Sequence, residues 1–104
     1  MDNVIQEKSF HFAVRIVNLC RYLQTEKKEY VLTNQLLKSG TSIGANVSES
    51  QQAQSRPDFI NKLNIALKEA YETNYWLRLL HETAFLTDDG FQSMIADCRE
   101  LETF

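Results

Sequence analysis

The stretch Ser39-Gly40-Thr41-Ser42-Ile43-Gly44-Ala45-Asn46-Val47-Ser48-Glu49-Ser50 carries two of the three glycines of this 104-residue chain. The surrounding pattern is helical, and each glycine inside a helix costs about 1 kcal/mol relative to alanine. Glycines four residues apart let another helix backbone approach closely. The stretch therefore predicts a tightly packed helix, and a contact surface for a partner or a second copy is the alternative. No lysine follows Gly44, as a phosphate-binding loop would require.

Apolar residues recur at helical spacing on both sides of this stretch, as in Phe12, Ile16, Leu19 and Leu23. A hydroxyl residue that can cap a helix stands at Thr33, and Ser55-Arg56-Pro57-Asp58 has the form of a capping box. The pattern predicts four helices, at about residues 3–26, 33–52, 56–86 and 88–102.

The fold class follows from the breaks between these helices. The chain has only three glycines and one proline, which argues against a sheet with many tight turns. Connections of two to six residues make consecutive helices antiparallel neighbours. We expect an all-α, up-down-up-down four-helix bundle in a single domain that spans residues 1–104. The longest seam is predicted on the third helix, at Leu63, Ala66, Ala70, Thr73, Leu77, Leu80 and Ala84.

Composition excludes several classes of function. The net charge is −3, with 11 basic and 14 acidic residues, which gives no general attraction to nucleic acid or anionic lipid. No run of 18 apolar residues is present, and the N-terminus lacks a secretion signal. Cys20 and Cys98 both lie on apolar helical stripes, so we expect two reduced, buried thiols. These features predict a soluble, cytoplasmic protein with no membrane partner.

Catalytic and metal chemistry are not indicated either. The two histidines, His11 and His81, lack the glutamate three positions earlier that a di-metal bundle needs. A thiol on an apolar stripe stays protonated and unreactive. We therefore expect no catalytic residues, no metal ligands and no cofactor.

Basic residues are concentrated in the first part of the chain, with seven basic against five acidic residues up to Arg56 and four against nine after it. The candidates for a nucleic-acid face are Lys8, His11, Arg15, Arg21, Lys27 and Lys28. Such a mixture can follow a phosphate backbone. A solvated helix face explains the same pattern.

A second apolar line runs along the third helix beside its main seam. Ile65, Trp76 and Leu79 form this line, and Tyr71 and Tyr75 flank it. Because so small a bundle cannot bury every face of one helix, we predict that these residues contact another subunit. Packing within the core is the alternative.

A family resemblance rests on Leu32-Thr33-Asn34-Gln35-Leu36-Leu37-Lys38-Ser39, on Ser42-Ile43-Gly44-Ala45-Asn46-Val47 with Glu49, and on Phe59-Ile60 with Leu63. These residues resemble the bacterial four-helix-bundle family that is also known for proteins encoded in intervening sequences of 23S ribosomal RNA genes. Its hallmark is a Ser-Ile-x-x-Asn-Ile/Val-x-Glu-Gly core on the second helix. Ser50 replaces the final glycine here, so the helix is not expected to stop at Glu49.

The resemblance implies a protomer that assembles into a homo-oligomeric ring, in known relatives a pentamer, with no enzymatic activity. We expect a scaffold or adaptor. The alternative is a module that binds RNA or nucleoprotein, since the chain also remotely resembles accessory proteins that partner a reverse transcriptase in diversity-generating retroelements. The residues assigned to the motif and its packing are Ser39, Gly40, Ser42, Ile43, Gly44, Asn46, Val47 and Glu49. Asn46 and Glu49 share one face of the helix, and we expect them to hydrogen-bond across the bundle or across a subunit interface.

Overall fold

The computed structural model describes residues 3–104, and this part of the chain is helical without any strand. The four helices are α1 (Val4–Glu26), α2 (Val31–Ser50), α3 (Arg56–Glu82) and α4 (Asp88–Glu102). The connections between them have four or five residues, which is too short for anything but a reversal of direction.

The helices form an antiparallel bundle that is 44 Å long and 22 by 18 Å across. α1 packs against α2 and α4, and α3 packs against the same two helices. Cross-bundle pairs show the direction: Lys8, near the start of α1, reaches Glu100 near the end of α4. Glu49, at the end of α2, likewise reaches Lys62 near the start of α3. α1 and α3 are therefore diagonal helices.

One apolar core runs through the bundle. Each helix contributes a stripe whose side chains are almost fully enclosed, as the helical spacing predicts. On α4 the enclosed side chains recur at helical spacing: Phe91, Met94, Ile95, Cys98 and Leu101. No hydrogen-bonding side-chain atom buried in residues 3–104 lacks a partner, so the core carries no uncompensated polar atom.

The start of α2 differs from the prediction that Thr33 caps the helix. α2 begins two residues earlier, and the Glu29 carboxylate caps it by accepting hydrogen bonds from the backbone N–H groups of Val31, Leu32 and Thr33, at 3.1, 3.0 and 2.8 Å. Thr33 itself is buried, and its hydroxyl donates to the Glu29 carbonyl. A carboxylate on the preceding turn satisfies more backbone donors than one hydroxyl can.

The end of α3 also differs, since the helix stops at Glu82 instead of continuing to about residue 86. Ala84 adopts a left-handed conformation with φ of 68°. The backbone N–H groups of Phe85 and Leu86 then both donate to the Leu80 carbonyl, as at a helix C-terminus that ends in a left-handed residue. Ala84 is consequently exposed and does not extend the seam of α3.

The starts of α3 and α4 are capped by hydroxyl groups. The Ser55 hydroxyl accepts a hydrogen bond from the Asp58 N–H, with Pro57 in the first turn, which confirms the predicted cap. The Thr87 hydroxyl accepts from the Gly90 N–H in the same way. These caps satisfy donors that have no partner inside the helix.

Candidate functional site

The two glycines of α2 lie against α1 of the same chain. A Cβ atom placed on Gly40 would lie 2.8 Å from both Cγ atoms of Ile16. A Cβ on Gly44 would lie 3.1 Å from the backbone oxygen of Ser9. The missing side chains therefore allow α1 and α2 to approach more closely than alanines would permit.

On the opposite side, α2 is joined to α3 by a buried pair of hydroxyl groups. The Thr73 hydroxyl donates to the Ser39 hydroxyl at 2.9 Å, and Ser39 in turn donates to the Leu36 carbonyl. Neither Ser39 nor Thr73 is accessible to solvent. Because each of these oxygens has a partner, the pair fixes the register of the two helices without an unpaired polar atom.

The polar motif residues make short-range contacts. The Asn46 side-chain amide donates to the Ser42 carbonyl of its own helix at 2.8 Å. Glu49 is exposed and forms an ion pair with Lys62 of α3 at 3.2 Å. Ile43 and Val47 are buried in the core. Of the two polar residues, Glu49 contacts a neighbouring helix, whereas the hydrogen bond of the Asn46 amide stays within α2.

Two residues of the predicted nucleic-acid face are engaged by α4. Lys8 forms an ion pair with Glu100. Arg15 binds Asp97 at 2.6 Å and the Ser93 hydroxyl at 2.7 Å. The charges of Lys8 and Arg15 are thus compensated by carboxylates of the same chain. His11 lines a groove between α1 and α4 together with Lys8, Asp97 and Glu100.

The remaining basic candidates lie toward the other end of α1. Arg21 is turned by about 120° around the helix axis from Arg15, because successive residues turn by about 100°. Arg21, Lys27 and Lys28 are exposed, and none of them forms an ion pair within the part of the chain that the structure describes. Lys28 adopts a left-handed conformation, with φ of 56°, in the turn between α1 and α2. The six candidates therefore form two groups. Lys8, His11 and Arg15 lie on the side of α1 that faces α4, and we refer to the exposed Arg21, Lys27 and Lys28 as the free basic end.

The predicted interface residues of α3 fall into two groups. Tyr71 and Tyr75 project into solvent, with 56% and 49% of their surface exposed. Trp76 is half-buried against the core, its indole N–H donates to Glu72, and its ring meets the Tyr75 ring edge-on at 5.0 Å. Ile65 and Leu79 are also half-buried. The tyrosines thus form the open part of this surface.

A second exposed apolar group was not predicted. Phe10 and Val14 lie one turn apart on α1, with 71% and 43% of their surface exposed. Phe10 borders a groove that Gly44 and Ser48 of α2 also line. The apolar spacing of four residues outside the main stripe of α1 was the signal that could have identified this pair.

Reactive groups are few in residues 3–104. Burial raises the pKa of both free thiols, Cys20 and Cys98, to about 12, and nearby carboxylates add to the effect. No group of three or more acidic, histidine or cysteine side chains in this range is arranged to hold a metal ion. None of the four helices is long and apolar enough to cross a membrane.

These contacts define a small antiparallel four-helix bundle. Gly40 and Gly44 of α2 pack against α1 of the same chain, and the outer faces of the bundle carry aromatic and basic side chains. The sequence pattern of the 23S rRNA-intervening sequence protein family matches residues 1–104. The chain belongs to that family.

Comparison with solved structures agrees with this assignment. The chain is similar to a protein of unknown function from the S23 ribosomal protein family of Bacteroides thetaiotaomicron, with 56% sequence identity and a TM-score of 0.94. The match covers 95% of this chain and 92% of that one. Among curated proteins, the comparison finds no match.

Proposed function

We propose that the protein is a non-enzymatic, cytoplasmic scaffold or adaptor that assembles from identical copies into a ring, with five copies as the family resemblance implies. The observation that carries the proposal is the presence of two exposed apolar groups on diagonal helices. These are Phe10 with Val14 on α1, and Tyr71 with Tyr75 on α3. Aromatic side chains are enriched in protein interfaces, where they exclude water over a large area.

The position of the two groups favours a ring over a two-fold dimer. α1 and α3 do not contact each other, so their outward surfaces lie on different sides of the bundle. If the α3 surface of one copy binds the α1 surface of the next, the pair keeps one free α1 surface on the first copy and one free α3 surface on the second. Such a head-to-tail contact closes into a ring when the rotation between copies is suitable.

The thiols support the non-enzymatic and cytoplasmic parts of the proposal. With a pKa of about 12 and almost complete burial, Cys20 and Cys98 are protonated at neutral pH and hidden from substrates. Both cysteines are free, which suits a reducing compartment.

Light scattering on the purified protein tests the assembly. A five-membered ring of 12.1 kDa subunits has a mass of about 60 kDa. The double variant Tyr71→Ser/Tyr75→Ser is expected to be monomeric, because it removes one of the two surfaces. Tyr22→Ser/Tyr30→Ser is a matched control, since Tyr22 and Tyr30 are equally exposed. A wild-type protein that is monomeric at all concentrations contradicts the proposal.

Mixing two defective variants tests which surfaces pair. Phe10→Ser/Val14→Ser keeps the α3 surface, and Tyr71→Ser/Tyr75→Ser keeps the α1 surface. Each variant alone is expected to be monomeric, whereas an equimolar mixture should form a dimer of about 24 kDa from two 12.1 kDa chains. Full-size rings in the mixture, or no association at all, would show that these two surfaces do not bind one another.

The free basic end favours a second candidate function, which is binding to RNA. Arg21, Lys27 and Lys28 are exposed, lack ion-pair partners among residues 3–104, and lie near the exposed Tyr22 and Tyr30. Cations together with aromatic rings suit a single-stranded nucleic acid. Repetition around a ring multiplies such a site and raises its avidity.

A gel shift with a structured RNA that contains single-stranded loops, at increasing salt concentration, tests this second function. Each phosphate contact steepens the dependence of log K on log salt by about 0.7–0.9. Lys27→Ala/Lys28→Ala should weaken binding and flatten that dependence. Lys8→Ala should change neither, because Lys8 is already paired with Glu100. Absence of binding at about 50 mM salt excludes the phosphate contacts.

A further inference from the structure

We propose that the open end of the bundle is a binding site for an uncharged aliphatic molecule of medium chain length. The site is an apolar cavity of about 230 Å³. It lies where the start of α1, the end of α2, the start of α3 and the end of α4 converge. This proposal is independent of the ring and of RNA binding.

The walls of the cavity are mostly hydrocarbon. Its floor includes Ile43, Val47 and Leu101, which are at most 5% exposed and belong to the core. Ile60 and Phe104 stand at the mouth, 44% and 58% exposed. The cavity is therefore a concave extension of the core that is open to solvent on one side.

The side chains of α3 explain why this end of the core is not filled. Toward the cavity the seam of α3 consists of the half-buried Leu63 and the buried Ala66 and Ala70, whereas at the other end it consists of Leu77 and Leu80. An alanine leaves space that a leucine would occupy. The small side chain of Ala66 therefore leaves space at this end of the core.

Displacement of water from this cavity favours an apolar ligand. A volume of 230 Å³ is the share of roughly eight liquid waters, which gain few hydrogen bonds from such walls. Apolar cavities of about 150 Å³ take up benzene, so in proportion this one fits about nine non-hydrogen atoms. A folded segment of a partner does not fit, because a helix with its side chains is about 10 Å wide.

The polar atoms at the cavity determine the end group of the ligand. Asn64 lines the cavity, and its side chain is exposed and makes no hydrogen bond to the described residues. No charged side chain lines the cavity. An uncharged hydroxyl or carbonyl group can bind the Asn64 amide, whereas a carboxylate or an ammonium drawn into the cavity meets no lining side chain of opposite charge.

Calorimetric titration of the full chain with straight-chain alcohols, from butanol to decanol, tests the proposal. We expect one saturable site per chain, with Kd falling about fourfold for each added methylene. The gain should stop at about octanol, whose nine non-hydrogen atoms match the cavity. Octanoate and octylamine should bind at least about tenfold more weakly than octanol. Unsaturable uptake, or a Kd that does not depend on chain length, overturns the proposal.

Two cavity variants and one control variant locate the binding in this cavity. Ala66→Met places a longer side chain in the cavity and should weaken octanol binding at least about tenfold, while Ala96→Met adds the same side chain on the exposed side of α4 and should have no effect. Ile60→Ala alters only the partly exposed mouth, so it should fold even if Ala66→Met does not, and it should weaken binding roughly threefold to tenfold. Equal binding by all three variants overturns the proposal. So does binding that appears only when the protein is diluted to a monomer, since a second copy would then occupy the cavity.

Discussion

Helix α1 is held by two joints of opposite character. Toward α2 the contact is apolar and close, with Ile16 lying where Gly40 lacks a side chain and Cys20 donating to the Thr33 carbonyl. Toward α4 the outer rim of the contact consists of the ion pairs of Lys8 and Arg15. We refer to these as the dry joint and the charged joint.

The difference shows which parts of the sequence are replaceable. In the dry joint a Cβ atom added at Gly40 or Gly44 meets an occupied position, because interiors are packed at the density of organic crystals. In the charged joint the paired groups remain largely hydrated, and exposed ion pairs contribute about 0–1 kcal/mol. Substitutions in the dry joint should therefore have large effects that are insensitive to salt, and those in the charged joint small effects that salt removes.

The largest effect is expected for Gly40→Ala. Alanine favours the helix by about 1 kcal/mol, but its Cβ would lie 2.8 Å from two buried carbons of Ile16. Because overpacking of this kind costs about 1–3 kcal/mol and the helix gain offsets about 1 kcal/mol, we expect a net destabilisation of up to about 2 kcal/mol in urea unfolding. The measurement is the midpoint and slope of the unfolding curve, with helix content checked by circular dichroism.

A double-mutant cycle with Ile16→Ala identifies the cause. Once the Ile16 side chain is removed, Gly40→Ala should become neutral or stabilising by up to about 1 kcal/mol, which corresponds to a coupling of roughly 2 kcal/mol. Gly44→Ala should have a smaller effect than Gly40→Ala, since its Cβ would lie at 3.1 Å from its nearest neighbour instead of 2.8 Å. If the cost of Gly40→Ala is the same with and without Ile16, the close packing is not its origin.

The second effect concerns alkaline pH and the buried thiol of the dry joint. Burial, together with the charge of Glu29, raises the pKa of Cys20 from 9.0 to about 12. Above about pH 9 the unfolded chain releases this proton and the folded chain keeps it, so stability falls as the pH rises. Between pH 8 and pH 10 wild type should lose about 1.4 kcal/mol more than Cys20→Ala. Parallel pH profiles for the two proteins would show that the thiol ionises as easily in the folded state.

Periodicity predicted the fold because most apolar positions are determined locally. The stripes of α1 and α4, and the cap at Ser55, depend on residues within one or two turns of each other. The start of α2 and the end of α3 were predicted less well. They depend on side-chain and backbone conformations that the apolar pattern does not encode. Ala84 ends α3 by adopting a left-handed conformation that alanine seldom takes, and the sequence contains no signal for that choice.

The candidate site could be predicted only in part, because helical spacing does not say which helix lies opposite. Lys8 and Arg15 do share a face of α1, but the sequence could not show that α4 carboxylates compensate them. The close packing at Gly40 was predictable from its cost in a helix, whereas its partner Ile16 was not. The apolar cavity depends on four chain segments at once, so no local pattern indicates it.

The third prediction compares a polar contact beside the dry joint with those of the charged joint. Glu29→Ala removes an acceptor for three backbone N–H groups at the start of α2. Loss of a helix cap costs about 1 kcal/mol, and we expect that destabilisation at both low and high salt. Glu29→Gln keeps one oxygen acceptor and should lose about half as much. Thermal unfolding of the three proteins measures the difference, and a Glu29→Ala variant as stable as wild type would show that water replaces the cap.

The smallest effects on the free energy of unfolding are expected in the charged joint. Arg15→Ala should cost about 0.5–1 kcal/mol, because Arg15 contacts both Asp97 and Ser93 and is partly shielded from solvent. Lys8→Ala should cost less than about 0.5 kcal/mol, since both members of the Lys8–Glu100 pair are more than 40% exposed. At about 1 M salt, where the Debye length is about 3 Å, the cost of Lys8→Ala should vanish and that of Arg15→Ala should shrink to its hydrogen bonds with Ser93. An Arg15→Ala cost as large as that of Gly40→Ala, and unchanged by salt, would mean that α4 is held to α1 as rigidly as α2 is. The distinction between a dry and a charged joint would then be one of composition only, with no difference in strength.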